Sequence, residues 1–429
     1  MTDLTPPTQW TYLLRMPRRA DHGRVARALL LENPHPNADP IFASAGVEVV
    51  RHPGALDESE LIAALDGIDI LGIRSTTHVT ERVLAAHPNL LAIGAFCIGT
   101  NQIDLKSAAR RGVAVFNAPF SNTRSVVELA VAEIIALTRR LTVRDKSLHA
   151  GVWDKSAAGS HEVRGRTLGI VGYGNIGTQL SVVAEALGMR VVFYDTAEKL
   201  ALGNAQRMGS LAELLAVADI VTLHVDGREG NAGMFGREQF EQMKHGAAFL
   251  NLSRGFLVDY SVLRAKILDG SVSGAAVDVF PDEPKRTGDA FESELRGLPN
   301  VILTPHVGGS TQEAQENIGH FVSGKLTKYL QAASTDLSVN LPRLSLEPSD
   351  AARYRVAFVH RNTPGVLALV NQTFAEHGAN IEGQILGTRG EIGYVVTDIG
   401  SELPREAVEA VRQMEDTLRL RVMTRPAAD

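Results

Sequence analysis

The sequence LGIVGYGNIG at residues 168–177 decides the fold of the central part of this chain of 429 residues. An apolar run that leads directly into a Gly-x-Gly-x-x-Gly turn predicts a strand, a tight turn and the start of a helix. The first glycine permits the turn, the second lets the backbone approach a pyrophosphate, and the third lets helix and strand pack closely. Amide groups at the helix N-terminus then face the phosphates. The residues predicted to hold a dinucleotide here are Gly172, Gly174, Asn175, Ile176 and Gly177.

An acidic residue after the next strand supports this interpretation. Asp195 ends that predicted strand 18 residues after Gly177, where a carboxylate can bind the ribose 2′-hydroxyl of a dinucleotide. The same carboxylate would repel a 2′-phosphate, so the sequence favours NAD over NADP. The alternative is a strand–helix turn followed by a helix-capping aspartate, with no ligand.

Short β-branched runs alternate with helical patterns on both sides of this turn, from residue 10 to about residue 310. This rhythm is typical of a parallel sheet with both faces covered. Two such series, joined by a long helix from Ser125 to about Thr142, predict two doubly wound α/β domains with a cleft between them. The strands predicted before this helix are Tyr12–Met16, Val47–Val50, Ile68–Ile73, Leu91–Ala95 and Val113–Phe116.

The C-terminal part of the chain changes character. Ser310-Thr-Gln-Glu313 is a capping-box pattern that predicts a helix to about Leu330. Residues 331–350 are rich in Ser, Asp and Pro and lack periodicity, which predicts a linker. Residues 351–429 follow the order β-α-β-β-α-β, which predicts a separate ferredoxin-like domain.

Composition excludes several classes of protein. The chain has 43 Lys and Arg residues against 49 Asp and Glu residues, a net charge of −6, without a dense basic stripe. We therefore expect no nucleic-acid or membrane partner. The apolar stretch Leu129–Leu137 is about half of the ~20 residues that a membrane span needs. The N-terminus lacks the pattern of a secretory signal, and one cysteine, Cys97, excludes a disulfide framework and a Cys-based zinc cluster. We expect a soluble, cytoplasmic protein without a metal centre.

Three charged residues follow predicted strands of the second series, at the sheet edge where open α/β sheets bind ligands. They are Arg254, Glu283 and His306. A guanidinium can hold a substrate carboxylate, an imidazole can accept a hydroxyl proton, and a neighbouring carboxylate can orient that imidazole. This set suits hydride transfer from a 2-hydroxy acid. Taken singly, the three could be a surface ion-pair partner, a solvated loop acid and a hydrogen-bonded core histidine.

On the glycine-rich turn, the three charged residues and the βαββαβ tail, the chain resembles the D-isomer-specific 2-hydroxyacid dehydrogenases that carry a C-terminal ACT domain. The agreement covers FCIGTN at 96–101, FNAPFSNTRS at 116–125, GYGNIGTQL at 172–180, DVFP at 278–281 and TPHVGGST at 304–311. The resemblance implies that Arg254, Glu283 and His306 are the family's catalytic triad. It also implies that the cofactor is lined by His224, Leu252, Ser253, Arg254, Asp278, His306, Gly308 and Gly309.

The same resemblance implies a domain organisation. Residues 1–121, completed by 309–340, would form the substrate-binding domain, and residues 122–308 would form the NAD-binding domain. Residues 341–350 would be the linker and residues 351–429 the regulatory ACT domain.

The resemblance further implies a phosphorylated substrate, 3-phospho-D-glycerate. The substrate contacts carried over are Arg74, Ser75, Gly99, Asn122 and, from an adjacent subunit, Lys155. Two positions depart from the pattern, because Thr76 and Pro53 stand where an arginine and a lysine are usual. The absence of these two basic side chains would weaken phosphate binding unless Arg51 or another basic group compensates. Another 2-hydroxy acid, such as 2-hydroxyglutarate, is therefore the alternative substrate, and a non-catalytic NAD sensor is the alternative class.

The C-terminal domain resembles ACT domains that respond to serine. His360, Asn362 and Asn380 would then bind L-serine between paired domains of a homotetramer, making the tail an allosteric sensor. The alternative is that these residues serve only turn formation and strand capping.

Overall fold

The computed structural model describes residues 11–13, 25–284 and 288–424. The chain divides into two units, one formed by Met1–Ser121 with Gln315–Asp429 and the other by Asn122–Ala314. No helix in the described ranges is both long and apolar enough to cross a membrane.

The N-terminal part of the first unit contains a five-stranded parallel sheet. Its elements are β1 (Thr11–Leu13), β2 (Ala26–Leu31), α1 (Ala38–Ser44), β3 (Val47–His52), α2 (Glu58–Ala64), β4 (Ile70–Ile73), α3 (Glu81–Ala86), β5 (Ala92–Ala95), α4 (Leu105–Arg110) and β6 (Ala114–Asn117). The strand order is β3-β2-β4-β5-β6, and every neighbouring pair is parallel. Strands β4, β5 and β6 are buried along their whole length, as expected where helices cover both faces.

The strand that comes first along the chain in this sheet is β2, and not the predicted strand Tyr12–Met16. Only residues 12 and 13 of the predicted strand Tyr12–Met16 are described, and they belong to β1, which pairs antiparallel with the C-terminal strand of the chain instead. Ala26–Leu31 lies in the parallel sheet and was not predicted. Its sequence, ARALLL, consists of residues with high helix propensity, which burial between two strands overrides. Residues 1–10 and 14–16 lie outside the described ranges, and so does the prediction about a signal sequence.

The second unit contains a seven-stranded parallel sheet. Its elements are α5 (Thr123–Arg139), α6 (Leu141–His149), β7 (Thr167–Val171), α7 (Asn175–Ala186), β8 (Arg190–Tyr194), β9 (Gln206–Arg207), α8 (Leu211–Val217), β10 (Ile220–Leu223), α9 (Arg237–Gln242), β11 (Ala247–Asn251), α10 (Tyr260–Leu268), β12 (Val272–Val277) and β13 (Val301–Leu303). The order is β13-β12-β11-β10-β7-β8-β9. The chain thus winds away from β7 in both directions, which makes the carboxyl ends of β7 and its neighbours a ligand-binding edge.

The long helix predicted from Ser125 to Thr142 is two helices. Arg140 has a φ of 50°, in the left-handed region, and separates α5 from α6. Helix α5 packs along β11, β12 and β13, so its inner face lies beside the strands that carry the predicted catalytic residues.

The C-terminal part begins with a long helix and continues as an antiparallel sheet. Its elements are α11 (Gln312–Ala332), β14 (Tyr354–Arg361), α12 (Val366–Glu376), β15 (Ile381–Arg389), β16 (Ile392–Ile399), α13 (Arg405–Gln413) and β17 (Thr417–Thr424). The sheet order is β1-β17-β14-β16-β15. These elements confirm the predicted βαββαβ plan and, with the two parallel sheets, the predicted fold class.

The two faces of this antiparallel sheet have different neighbours. Helices α12 and α13 cover one face around Phe358 and Phe374. On the other face, Tyr394 and Met423 belong to the same hydrophobic core as Tyr329 of α11. The tail therefore shares a core with the rest of its unit.

A buried ion pair crosses this shared face. Arg355 on β14 donates from Nε and Nη2 to the two carboxylate oxygens of Asp398 on β16, both at 2.7 Å. Arg355 also donates to the carbonyl of Ala332 at the end of α11, at 2.9 Å. Both side chains are buried, at 0% and 1% exposure, so this pair joins the sheet to α11 without contact with water.

Candidate active site

The glycine-rich turn has the shape that a pyrophosphate requires. Gly172 has a φ of 92°, and a Cβ there would lie 2.5 Å from the carbonyl oxygen of His224. A Cβ on Gly177 would lie 2.3 Å from the carbonyl oxygen of Gly172, so close packing excludes a side chain at both positions. A Cβ on Gly174 would meet no atom within 4 Å. The turn is closely packed at Gly172 and Gly177 and has open space at Gly174. The first residues of α7, Asn175 and Ile176, follow this open space, where their amides can bind a phosphate.

Asp195 lies next to this turn, at the end of β8. Its Oδ2 accepts a hydrogen bond from the amide of Tyr173 at 2.8 Å, and its Oδ1 accepts one from the amide of Ala197 at 2.8 Å. The carboxylate is therefore held in place by backbone groups. Its remaining lone pairs are acceptors that fit a ribose diol.

The ends of β10 and β11 extend the same edge. Ser253 donates its hydroxyl to the carbonyl of Leu223 at 2.6 Å, which ties the two strand ends together. His224 contacts the hydroxyl of Thr222 through Nε2 at 3.0 Å. Burial lowers the pKa of His224 to about 4, so this imidazole is neutral near pH 7. Leu252, which precedes Ser253 in the sequence, is buried.

Asp278 anchors the loop that carries His306. Its carboxylate accepts hydrogen bonds from the hydroxyl of Thr304 at 2.6 Å and from the amides of Val307 and Gly308, both at 2.8 Å. Asp278 is 2% exposed, so these bonds form away from solvent. They bracket His306, which has a φ of 53° in the left-handed region that non-glycine residues seldom adopt. The anchoring by Asp278 and the part of Thr304 in it were missed by the sequence interpretation.

His306 and Glu283 form a direct pair. Nδ1 of His306 lies 2.8 Å from Oε2 of Glu283, and the other carboxylate oxygen accepts from the amide of Phe280 at 3.1 Å. The hydrogen bond to Glu283 outweighs burial and raises the pKa of His306 above its ordinary value. Burial alone would raise the pKa of Glu283, but the bonds from His306 and Phe280 hold it below its ordinary value. Both shifts favour the charged forms of His306 and Glu283, so the two side chains form an ion pair. Because Nδ1 is bound to Glu283, Nε2 of His306 is the nitrogen left for proton transfer.

Arg254 lies close enough to act on this pair. Its guanidinium donates to the carbonyl of Ser253 at 2.6 Å, and its stem lies against Gly227, where a Cβ would come within 3.1 Å of Cγ. Its positive charge opposes protonation of His306 and favours the charged form of Glu283. The structure therefore brings all three residues of the predicted triad to the sheet edge that holds the glycine-rich turn.

The chain matches known proteins over most of its length. The protein-family model for the NAD-binding domain of D-isomer specific 2-hydroxyacid dehydrogenases matches residues 131–308. The family model for the AHAS small subunit-like ACT domain matches residues 356–419. A D-3-phosphoglycerate dehydrogenase of Haemophilus influenzae is 47% identical over 92% of this chain and 96% of its own. D-3-phosphoglycerate dehydrogenase 2 of Saccharomyces cerevisiae is 44% identical over 96% of this chain and 92% of its own.

The chain belongs to the D-isomer-specific 2-hydroxyacid dehydrogenase family. It is an NAD-dependent oxidoreductase with a C-terminal ACT domain. Among solved structures, the D-lactate dehydrogenase of Aquifex aeolicus complexed with NAD and lactic acid is 25% identical, with a TM-score of 0.62 over 71% of this chain and 95% of that one. The residues described above, from Gly172 to Gly308, fit NAD as the cofactor.

Two predicted substrate residues of the dehydrogenase lie in its second unit. Asn122 precedes α5, and a Cβ on Gly309 would lie 2.6 Å from the amide nitrogen of its side chain. Asn122 thus contacts the segment that follows His306. Lys155 is exposed, with its ammonium 5.7 Å from the ring centre of Trp153, and so remains accessible to a ligand or a second subunit.

The other predicted substrate residues lie in the first unit, after β4 and β5. Gln102 donates to the carbonyls of Arg74 and Gly99, at 2.5 Å and 3.4 Å, and so joins the two loops. Ser75 and Thr76 are exposed on the loop after β4. Arg51, the residue that could compensate for the missing basic groups, has its guanidinium bound to both carboxylate oxygens of Asp39.

The predicted serine residues lie at two ends of the ACT sheet. His360 and Asn362 come at the end of β14, whereas Asn380 precedes β15. The register pairs Tyr354 with Ile399 and Ile399 with Ile381, so Asn380 lies near the start of β14. Six residues of strand, roughly 20 Å, therefore separate it from His360. A single ACT domain does not bring the three together.

Glu133 is a buried acid that the sequence interpretation did not assign to the site. It is 3% exposed, and neither carboxylate oxygen has a hydrogen-bond partner among the described residues. Val126 and Leu129, on the same face of α5, lie within 3.3 Å and 4.0 Å of where a Cβ on Gly308 would be. Burial, with a smaller effect of Asp278, raises the pKa of Glu133 to about 8. Its only sequence signal is a charge within the apolar run 129–137.

We expect Glu133→Gln to change how stability depends on pH. The folded protein keeps a proton on Glu133 up to about pH 8, whereas the unfolded chain releases it near the ordinary value of 4.5. The contribution is therefore complete below pH 4.5 and is lost as pH rises through 8, at about 1.4 kcal/mol per pH unit between these values. Urea unfolding at pH 6.0 and pH 8.5 should show the wild type losing more stability than the variant.

The matched control is Glu128→Gln on the same helix, because Glu128 is exposed and pairs with Arg124. This variant should follow the wild type at both pH values. Parallel curves for wild type and Glu133→Gln would show that Glu133 is ionised in the folded state.

Proposed function

We propose that the dehydrogenase oxidises 3-phospho-D-glycerate to 3-phosphohydroxypyruvate. The observation that carries the chemistry is the His306–Glu283 pair at 2.8 Å, next to Arg254 and the glycine-rich turn. The choice of substrate is supported by the curated relatives that span most of this chain. When bound, NAD supplies the hydride acceptor.

Each residue of the triad has a separate task. Arg254 holds the substrate carboxylate through the two parallel hydrogen bonds that a guanidinium can make. Nε2 of His306 accepts the proton of the C2 hydroxyl as that carbon loses its hydride. Glu283 fixes the imidazole through Nδ1 and stabilises the imidazolium that forms. The hydride and the proton each have an acceptor, and the carboxylate of Glu283 balances the imidazolium that forms, so the proposal calls for no metal.

The predicted phosphate-binding site has fewer basic residues than the family pattern, so phosphate recognition needs a direct test. Arg74 is the remaining basic residue after β4, and Thr76 and Pro53 carry no charge. We expect kcat/KM with NAD to be higher for 3-phosphoglycerate than for 2-hydroxyglutarate, and NADP to be a poor substitute because of Asp195. The measurement is initial rates of purified protein with both acids and both cofactors. A preference for 2-hydroxyglutarate would replace the proposed substrate.

A charge introduced at Thr76 sharpens this test. Thr76→Arg should lower KM for 3-phosphoglycerate by about tenfold or more, since a charge-assisted hydrogen bond contributes roughly 1.5–3 kcal/mol. KM for 2-hydroxyglutarate should change less, because that acid has no phosphate. The control is Thr76→Gln, which adds a polar side chain without a charge and should leave KM for 3-phosphoglycerate closer to that of the wild type.

We further propose that L-serine inhibits the enzyme at paired ACT domains of a homotetramer. His360 is 3% exposed, with Nδ1 on the carbonyl of Arg361 at 2.7 Å, so its Nε2 faces a dry environment. The separation of Asn380 from His360 supports a site that two ACT domains complete, one from each subunit. Assays with and without millimolar L-serine should show inhibition, and Asn362→Ala should lose it. An unchanged rate in the wild type would remove this part of the proposal.

A further inference from the structure

A cavity of about 870 Å³ lies inside the first unit, where the parallel sheet's helices meet the ACT sheet. One wall comes from residues 65–69, 86–91 and 110–111, and the other comes from Arg412 and residues 417–421. This volume falls in the range of small-molecule sites. Its lining contains none of the residues predicted to bind NAD or serine, although Thr417 of the lining pairs with His360 in the sheet.

The lining is strongly basic. Five arginines and two acidic residues, Asp66 and Asp69, line the cavity, and two of the arginines, Arg419 and Arg421, donate to backbone carbonyls. The arginines are Arg110, Arg111, Arg412, Arg419 and Arg421. In a chain whose overall charge is −6, these arginines concentrate positive charge at one place, which three exposed glutamates at the rim partly offset. A concave surface with this charge concentrates anions.

Arg419 joins the two walls. From β17 its guanidinium donates to the carbonyls of Arg111, Leu90 and Pro88, at 3.1 Å, 2.7 Å and 2.9 Å. A Cβ on Gly112 would lie 2.6 Å from Cβ of Arg419, so the strand and the end of α4 are in close contact. The cavity is therefore a built junction between the ACT sheet and the parallel sheet.

The arginines at the rim have weak partners. Arg110 lies 3.7 Å from Glu391, Arg111 lies 3.8 Å from Glu81, and Arg412 lies 3.4 Å from Glu409. These acids are exposed, at 82%, 72% and 56%, and such pairs contribute little to stability. A ligand with several negative charges can exchange for them at small cost.

We propose that this cavity binds a small, multiply charged anion that contacts both walls at once. Guanidinium groups pair with phosphate and carboxylate oxygens through parallel hydrogen bonds, so the ligand carries either phosphate groups or several carboxylates. Because Arg110 and Arg412 lie on opposite walls, an anion between them stabilises the docked position of the ACT sheet. The proposal is independent of the identity of the oxidised substrate.

The test measures anion binding to the NAD-saturated full-length protein by isothermal titration calorimetry. Pyrophosphate and citrate are the two probes, and they distinguish phosphate from carboxylate chemistry. We expect one saturable site per chain for at least one probe. The double variant Arg110→Ala/Arg412→Ala should weaken it by about tenfold or more, since each arginine provides a charge-assisted contact.

Two controls locate the bound anion. Arg82→Ala removes an exposed arginine elsewhere in the same unit, one that pairs with Glu58 at 3.1 Å, and should leave binding unchanged. Arg254→Ala should also leave it unchanged, because Arg254 belongs to the active site. Binding lost in Arg254→Ala but retained in the double variant would assign the anion to the active site. That result, or the absence of saturable binding by both probes, would overturn the proposal.

Discussion

Replacement of His306 by alanine is expected to lower kcat by about two to four orders of magnitude while NAD still binds. The reason is geometric, since Nδ1 is committed to Glu283 at 2.8 Å and Nε2 is the nitrogen left to accept the hydroxyl proton. No other described residue is placed by the structure to replace that nitrogen. The measurement is kcat and KM for 3-phosphoglycerate together with the affinity for NAD from calorimetry.

The role of His306 can be separated from a structural one by a pH profile. Oxidation needs neutral imidazole, so kcat/KM should rise with pH through the pKa of His306, which Glu283 holds above its ordinary value. Glu283→Gln removes the charge and should shift this rise to lower pH. His245→Ala, on an exposed turn before β11, is the matched control and should keep full activity. Turnover retained by His306→Ala would contradict the assigned role.

The second large effect is expected in stability, from Asp398→Ala. This change leaves Arg355 with 0% exposure and without the carboxylate that accepts two of its hydrogen bonds at 2.7 Å. Breaking a buried ion pair in this way costs about 3–5 kcal/mol, since one charge stays buried without compensation. Urea unfolding followed by far-UV circular dichroism should show a lower midpoint.

The matched control comes from residues next to the ends of the same two strands. Glu402→Ala removes an exposed pair with Arg353, whose atoms lie 3.0 Å apart, and should cost less than about 1 kcal/mol. Equal losses for Asp398→Ala and Glu402→Ala would show that burial does not decide the strength of the Arg355 pair. The affinity for NAD, measured by calorimetry, should be unchanged in both variants, because neither residue lies in the second unit.

The sequence predicted elements well where the pattern was local. The helix Glu81–Ala86 has the predicted bounds, and the βαββαβ order of the tail follows the predicted order. The errors came where burial or a distant partner overrode propensity. Ala26–Leu31 forms a strand despite residues that favour helix, and Thr11–Leu13 pairs with a strand more than 400 residues away in the chain.

For the candidate site, motif spacing alone pointed to Arg254, Glu283 and His306, because each follows a strand of one parallel sheet. The structure added the contacts that hold them. Asp278 accepts hydrogen bonds from the Thr304 hydroxyl before His306 and from the amides of Val307 and Gly308 after it, and Glu133 lies buried on α5 with a raised pKa. The contacts of Asp278 have no local sequence signal, and Glu133 is marked only as a charge within an apolar run, since hydrogen-bond partners and desolvation depend on elements that meet only after folding.

The amino-acid order alone was enough for the dinucleotide turn and the choice of NAD, because glycines at fixed spacing and an acid after the next strand act within one strand–helix–strand unit. Tertiary structure decided which charges are available. It binds Arg51 to Asp39, pairs Arg355 with Asp398, and collects five arginines around one cavity. These outcomes depend on which distant segments share a surface and how much water reaches it, and no local pattern in a single chain specifies either.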